Sequence, residues 1–354
     1  MQYSSSPPAR HRHPARALLL TALLSVTSAC QDRTPVVVTR FTAFATQVDI
    51  NLVGVNREQA QQVAAAIRED FSFIQRDLDD TPNGQLERVN RLLASGETFV
   101  PPPSMLPLLA SCRTLESRSE GFFNPASGRL SALWGRDRGQ PPADQIARLV
   151  AAHPSLTQIE QQGLELRGTN PALALDFSRV AAGYAIDIAT QHLLDLGIRN
   201  ALVQVDGALR VLGDRSGQPW RLPILRASGS GVHAILAVRN REGVATVAEH
   251  DRLYHAIIDP QTGSPSGASR AVTVVHQDTL TATAAAMALF SAGPDDWERV
   301  AGKMGIRYVL MFDRAGGIHM SPAMAGRIEP VDAQDGDSPA GSTPDARGRG
   351  EGGP

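Results

Sequence analysis

The alanine-rich stretch from Val274 to Gly293 places a hydroxyl and a thioether where both could meet one ligand. Thr283 and Met287 are four residues apart, so on a helix their side chains share one face. Two side chains on one helix face could contact the same metal ion if both supplied suitable donor atoms. Mg²⁺ prefers hard oxygen ligands and usually takes at least one carboxylate, whereas a thioether is too soft for it. This face offers one hydroxyl and no carboxylate.

Carboxylates that could complete a metal site lie elsewhere in the chain. Asp206 and Asp259 stand in Gly- or Pro-containing turn sequences, where aspartate is more typical of turn formation than of metal binding. Asp278 precedes the alanine-rich stretch and is predicted to cap its helix. Asp176 lies near the end of the predicted strand "LALDF".

The elements that would position these residues mix strands and helices without regular alternation. "FATQVDINLVGV" predicts a strand, and the segment after it predicts a helix capped by Asn56. "NALVQVDGALRVLG" predicts a hairpin that turns at Asp206-Gly207, and "IRYVLMFDRAGGIHM" predicts another. A further helix is expected to begin at Pro294. This irregular order predicts an α+β fold with mixed sheets packed against helices.

The charge of the chain does not indicate nucleic-acid binding, and its N-terminal segment predicts export. The chain has 354 residues, 42% hydrophobic residues and a net charge of -2, so nothing in its charge favours nucleic-acid binding. A basic start, the apolar run "ALLLTALLSV" and the box "TSAC" resemble a lipoprotein export signal. The alternative is ordinary signal cleavage nearby. We expect a lipid on Cys30 that anchors the protein at the periplasmic face, on the inner membrane. Cys112 is expected to be a buried helix thiol.

These features divide the chain into four predicted parts. Residues 1–29 are interpreted as a lipoprotein-type signal peptide and residues 30–40 as a linker. Residues 41–328 form the predicted folded domain. Residues 329–354 are rich in Pro, Gly and Asp with almost no apolar side chains, so they are predicted to be a disordered tail.

Five short motifs, in order, resemble those of the bacterial FAD:protein FMN transferases, the ApbE-like family. They are "NGQLERVN", "FFNPASGRLSALWG", "LDFSRVAAGYAIDIA", "NALVQVDGALRVLG" and "IIDPQTGSP". The resemblance covers nearly all of the chain between leader and tail and implies an architecture related to the T-fold. It also implies that FAD is cleaved with the help of Mg²⁺ and that FMN is attached through a phosphodiester to a threonine of a membrane redox protein.

The resemblance also assigns candidate site residues, although several depart from the family's pattern. The metal positions fall on the backbone carbonyl of Arg179 and on Thr283 and Met287, where the family has Asp and Thr at the last two. The family's lysine that meets the flavin nucleotide is Ala182. The implied flavin-nucleotide residues are Phe44, Gln85, Leu86, Glu87, Asn124, Pro125, Ala126, Asp176, Ala182 and Ile257.

Two interpretations of these departures stay open. The protein is either a divergent transferase with a rebuilt metal site, or a catalytically degenerate lipoprotein that binds flavin or a protein partner. In the first case Arg179 could itself neutralise phosphate charge. The residues that match the family, such as Gly183, Tyr184, Asp187, Gly263 and Trp134, are interpreted as largely scaffold. The sequence has no Gly-x-Ser-x-Gly elbow and no His-Glu-x-x-His, so serine and zinc hydrolases are not favoured.

Overall fold

The computed structural model describes residues 35–135, 140–227, 231–249 and 257–331. The predicted signal peptide, Cys30 and nearly all of the predicted tail lie outside these ranges. Within them, thirteen strands and eight helices form an α+β fold. No helix in the described ranges is long and apolar enough to span a bilayer.

An eight-stranded antiparallel sheet forms the centre of the fold, with the strand order β1-β2-β5-β6-β9-β10-β11-β12. These strands are β1 (Val36–Ala43), β2 (Thr46–Val53), β5 (Ala201–Val205), β6 (Ala208–Leu212), β9 (Gly243–Ala248), β10 (Ser269–His276), β11 (Tyr308–Asp313) and β12 (Ile318–Met320). In β2, Val48, Ile50 and Leu52 are fully buried, which is the alternation of a strand with one face on the core.

Three long helices cover one face of the central sheet. Helix α1 (Arg57–Asp77) begins at Asn56, whose side chain accepts a hydrogen bond from the Gln59 amide at 2.8 Å, as predicted. Helix α6 (Ala181–Asp195) packs between α1 and α7 (Thr279–Met304). Helix α7 is kinked at Gly293, where φ is 70°. The helix predicted to begin at Pro294 is therefore present as the part of α7 that follows the kink.

A three-stranded sheet covers the other face, in the order β13-β8-β7. Its strands are β7 (Trp220–Leu225), β8 (Val232–Val238) and β13 (Ile328–Pro330). Trp220, Leu236 and Val238 share a core cluster with Val211 and Leu310 of the central sheet. Burial of this apolar surface from two sides holds the layers together.

The remaining elements form a third core beside α7. They are α2 (Gln85–Ser95), α3 (Met105–Arg118), α4 (Gly128–Leu133), α5 (Ala143–Ala152), the 3-10 turn Leu156–Gln158, and the hairpin of β3 (Ile159–Gln162) and β4 (Glu165–Gly168). Cys112 of α3 is fully buried, and burial raises the pKa of its thiol well above the ordinary range. A short helix α8 (Pro322–Ala325) precedes β13.

Two predicted boundaries are wrong. The predicted linker 30–40 includes Val36 to Arg40, which form the first part of β1 and pair with Asp49 to Val53 of β2. The predicted tail began at residue 329, but Glu329 and Pro330 pair with Ile235 and Ala234 of β8. Composition could not show the second of these, because Glu329 and Pro330 pair with residues that are distant in the chain.

Candidate functional site

Residues from four separate stretches of the chain surround one cavity of about 110 Å³, here called the central cavity. The loop before α4 contributes Asn124 and Pro125, and the loop before α6 contributes Asp176 and Arg179. Ile257 and Met287 close it from two further segments. Of the predicted flavin-nucleotide residues, Asn124, Pro125, Asp176 and Ile257 are therefore brought together, although 133 positions separate the first from the last (257 − 124).

Hydrogen bonds hold the two loops in fixed conformations. The Asn124 side chain donates to the Pro154 carbonyl at 2.8 Å and accepts from the Ala126 amide at 2.9 Å. The Asp176 carboxylate accepts from the Ser178 amide and hydroxyl, at 3.0 and 2.6 Å. The Asp176 amide donates to the Pro125 carbonyl at 2.8 Å, which joins the two loops directly. Because these loops are already fixed by several hydrogen bonds, their side chains lose little conformational entropy when a ligand binds.

A second, smaller cavity of about 40 Å³, here called the inner cavity, lies between α6, α7 and the central sheet. Its lining includes Arg179, Ala182, Thr283 and Met287, so all three predicted metal positions meet here. Arg179 and Met287 are the two described residues that line both cavities. They therefore form the boundary between the inner and the central cavity.

Larger spaces adjoin the central cavity on two sides. A groove of about 530 Å³ shares Asp176 and Ser178 with it and also contacts Glu87, which forms a 3.5 Å ion pair with Arg91. A side cavity of about 560 Å³ shares Asn124, Ser127 and Pro260 with it. Spaces of this size are typical of sites for large organic ligands, and here they meet at the central cavity.

The other predicted site residues do not line any of these four cavities. Leu86 and Ala126 are 2% and 0% exposed, so their side chains belong to the core. Gln85 is exposed at the start of α2. Phe44 sits in the β1–β2 turn with φ at 50°, and its ring packs on Phe71 at 5.8 Å.

Some lining residues were missed by reasoning from the sequence. Thr46, two residues after Phe44, lines the inner cavity, because the tight turn at Phe44 and Ala45 directs the following residue inward. Phe122 and Ser131 line the central cavity, and both lie inside the motif "FFNPASGRLSALWG". Membership of that motif was the available signal for them.

The residues at the metal positions do not fit Mg²⁺. The Thr283 hydroxyl donates to the Thr279 carbonyl at 2.8 Å and is 6% exposed, and Met287 offers only sulfur. Within the described residues, no three His, Cys, Asp or Glu side chains lie close enough together to hold a metal ion. Arg179 lines the same cavity, and its positive charge opposes the binding of a cation there.

The three candidate rescue carboxylates differ in position. Asp206 lines the inner cavity from the β5–β6 turn, where its φ of 49° confirms its turn role. Asp259 accepts from the Gln261 amide and the Thr262 hydroxyl, both at 2.9 Å, and is likewise a turn former. Asp278 was predicted to cap α7, but its side chain makes no capping hydrogen bond. Only Asp206 therefore reaches the candidate site among these three.

Several signature residues have scaffold roles, as the sequence interpretation expected. A Cβ on Gly183 would lie 2.8 Å from the Thr283 hydroxyl, so only glycine allows α6 and α7 to cross this closely. The Tyr184 hydroxyl donates to the Ser104 carbonyl at 3.1 Å. The Trp134 indole donates to the Gly263 carbonyl at 2.9 Å, which fixes the loop beside the central cavity.

The family model described as "ApbE family" matches residues 44–310, about three quarters of the chain. The chain belongs to the ApbE family. An FAD:protein FMN transferase of Rhodobacter capsulatus is 34% identical over 304 residues, which are 82% of this chain and 58% of that relative. One from Vibrio cholerae serotype O1 is 29% identical over 233 residues, covering 62% of this chain and 70% of the relative.

Solved structures show the same ApbE fold. The flavin transferase ApbE from Vibrio cholerae superposes with a TM-score of 0.73, covering 83% of this chain and 99% of that one. The ApbE protein of Thermotoga maritima gives a TM-score of 0.74 over 83% and 99%. Both are 24% identical to this chain, so they establish the fold and confirm the α+β prediction.

The side cavity of this ApbE-family protein contains a buried carboxyl group. Glu116 is 6% exposed and accepts hydrogen bonds from the Leu156 amide, at 3.0 Å to Oε2. Burial outweighs these bonds and the nearby Arg113, and it raises the pKa of Glu116 from 4.5 to about 7. The carboxyl group is therefore half protonated near neutral pH.

We expect this shift to make stability fall as pH rises from about 4.5 to about 7. Below the unfolded pKa both states are protonated and the full stability is present; it is lost as pH rises through the folded pKa. The loss is at most about 3 kcal/mol. Urea unfolding of the wild type and Glu116→Gln at both ends of this window measures it. Equal slopes with pH in the two proteins would contradict the prediction.

Proposed function

We propose that this protein is an FAD:protein FMN transferase. Relatives with that name align with most of this chain, and the fold matches that of ApbE flavin transferases. The observation that carries the proposal is the central cavity, where Asn124, Pro125, Asp176 and Ile257 from three resembling motifs meet. Residues of three motifs that are distant in the chain therefore face one space, as a site for a shared ligand requires.

The proposed reaction exchanges one phosphorus–oxygen bond for another. The hydroxyl oxygen of an acceptor threonine attacks the phosphorus of the FMN half of FAD, and the bond to the bridging oxygen breaks. The products are a threonine–FMN phosphodiester and AMP, whose phosphate takes up the hydroxyl proton. Catalysis of such a transfer consists mainly of positioning and of neutralising the phosphate charge.

The chain's own residues provide the positioning. The adjoining groove and side cavity offer space for an extended dinucleotide, while the loops of Asn124 and Asp176 are fixed by hydrogen bonds between them. Mg²⁺ would stabilise developing charge on the phosphates in enzymes that hold it. Thr283 and Met287 do not fit it, so we assign it no step here.

The acceptor and the address are also proposed. We propose an acceptor threonine on a membrane redox protein at the periplasmic face. The predicted lipid on Cys30 would hold the transferase near such a protein, on the inner membrane. The export signal in residues 1–29 supports this address, and those residues lie outside the described ranges.

A second candidate function is favoured by the α7 face. Met287 offers only a soft sulfur, and the Thr283 hydroxyl is hydrogen-bonded within its own helix. Both features are expected of a protein that has lost catalysis but still binds flavin or a partner protein. Such a protein would bind FAD intact.

One experiment separates the two functions. The purified full chain is incubated with FAD, and FMN and AMP are quantified by chromatography. Membranes of the source organism, with and without the gene, are separated on denaturing gels and viewed for flavin fluorescence. A transferase gives a fluorescent protein band that disappears with the gene and returns on complementation. Unchanged bands together with intact FAD would contradict the transferase.

A further inference from the structure

The boundary between the inner and central cavities carries a positive charge. Arg179 lines both spaces from the loop before α6, and the other residue that does so among those described is the uncharged Met287. No other Lys, Arg or His of the described ranges lines either cavity. A ligand anion at this boundary therefore meets one cationic group.

Two aspartates near this boundary would repel a ligand anion, which makes the positive charge of Arg179 more important for anion binding. Asp206 lines the inner cavity and Asp176 the central one. Asp176 is held by Ser178, and its position beside the cavity is fixed. A dinucleotide diphosphate brings further negative charge, which has to be neutralised by a metal ion or by a basic side chain.

The neighbouring donors do not supply a metal ion. Thr283 is buried, its hydroxyl is bonded to the Thr279 carbonyl, and Gly183 packs against it. Met287 has the wrong softness for Mg²⁺. A guanidinium, in contrast, stays charged at any physiological pH and presents a planar set of N–H donors that matches phosphate oxygens.

We propose that Arg179 takes the place of a divalent cation in this protein: its guanidinium binds the diphosphate of FAD, and binding does not require Mg²⁺. This inference rests on the proposed function, because it takes FAD as the ligand. It makes Arg179 a residue that selects for phosphate, and it predicts that flavins without phosphate do not depend on Arg179.

The test measures the dissociation constants of FAD, FMN and riboflavin by flavin fluorescence with the full chain, in millimolar Mg²⁺ or in EDTA. We expect the wild type to bind FAD equally in both buffers. Arg179→Gln should weaken FAD by about 10–100-fold and leave riboflavin unchanged. Arg179→Lys should recover part of the affinity, since it keeps the charge but not the planar donors.

The matched control is Arg148→Gln, which removes a charge from an exposed pair with Asp144 on α5. It should bind all three flavins like the wild type. Riboflavin affinity also reports whether Arg179→Gln is folded, because misfolding would weaken all three flavins together.

Each other outcome has a distinct meaning. Loss of FAD affinity in EDTA would overturn the inference but would not contradict the proposed transferase function. If Asp206→Asn then removed the effect of Mg²⁺ on FAD binding, Asp206 would be identified as a ligand of the metal ion. Unaltered FAD binding by Arg179→Gln would overturn it as well. Absence of flavin binding by the wild type in either buffer would overturn the proposed function itself.

Discussion

Replacing Asp187 with alanine is expected to destabilise the fold by about 3 kcal/mol. The Asp187 carboxylate accepts the amides of Thr279 and Leu280, both at 2.9 Å, and so satisfies the first N–H groups of α7. It also pairs with Arg210 at 2.8 Å, and both side chains are less than one fifth exposed. Burial raises the pKa of Asp187 despite these partners. Removing the carboxylate leaves a largely buried arginine and two helix amides without their acceptor.

Urea unfolding measures this loss, with two further variants for comparison. Asp187→Asn keeps an acceptor oxygen but not the charge, and it should lose about half as much. Asp144→Ala removes an exposed partner of Arg148 and should change stability by less than about 0.5 kcal/mol. A loss in Asp187→Ala no larger than in Asp144→Ala would show that the α7 start does not depend on this contact.

The position of this cap shows where reasoning from the sequence stops. Asp278 directly precedes α7, and local pattern made it the expected cap. The actual acceptor is Asp187, from α6, whose contact with Thr279 spans 92 positions. A cap supplied by another helix leaves no local trace, so only the packing of α6 on α7 reveals it.

Strands with strong local patterns were predicted well, and those without them were not. The hairpin at Asp206-Gly207 turns where two alternating apolar runs meet, and it is present as β5 and β6. The first part of β1, Val36 to Arg40, was interpreted as linker. Its partner β2 lies across a turn at Phe44 and Ala45, two non-glycine residues with positive φ. This turn contains no Gly or Asn, the residues from which a turn with positive φ is usually predicted.

The motifs that form the candidate site could be predicted from the sequence, but the arrangement of its two cavities could not. Asn124, Asp176 and Ile257 were selected by resemblance, and the structure places them on one cavity. That Arg179 and Met287 form the boundary with the inner cavity depends on how α7 crosses α6 at Gly183. The spacing of residues within one helix cannot show such a crossing.

The α7 face offers the second large effect. The double substitution Thr283→Asp and Met287→Thr is expected to make FAD binding depend on a divalent cation. It places a carboxylate and a free hydroxyl one helical turn apart at the inner cavity, beside the boundary where the diphosphate is proposed to lie. In EDTA the new carboxylate should repel the ligand and weaken FAD by about tenfold or more, and Mn²⁺ should restore the affinity.

Two measurements on the full chain check this expectation. Flavin fluorescence gives the FAD dissociation constant with and without Mn²⁺, and electron paramagnetic resonance counts the Mn²⁺ that leaves solution. The control is Thr283→Asn with Met287→Thr, which has nearly the same shape but no negative charge, and it should neither take up Mn²⁺ nor respond to it. If the carboxylate variant also left Mn²⁺ free in solution, the loss of hard donors at these two positions could not explain the metal independence proposed for the wild type. The charge on Arg179 would then be the stronger barrier, and adding Arg179→Ser to the double variant would show it by admitting the ion.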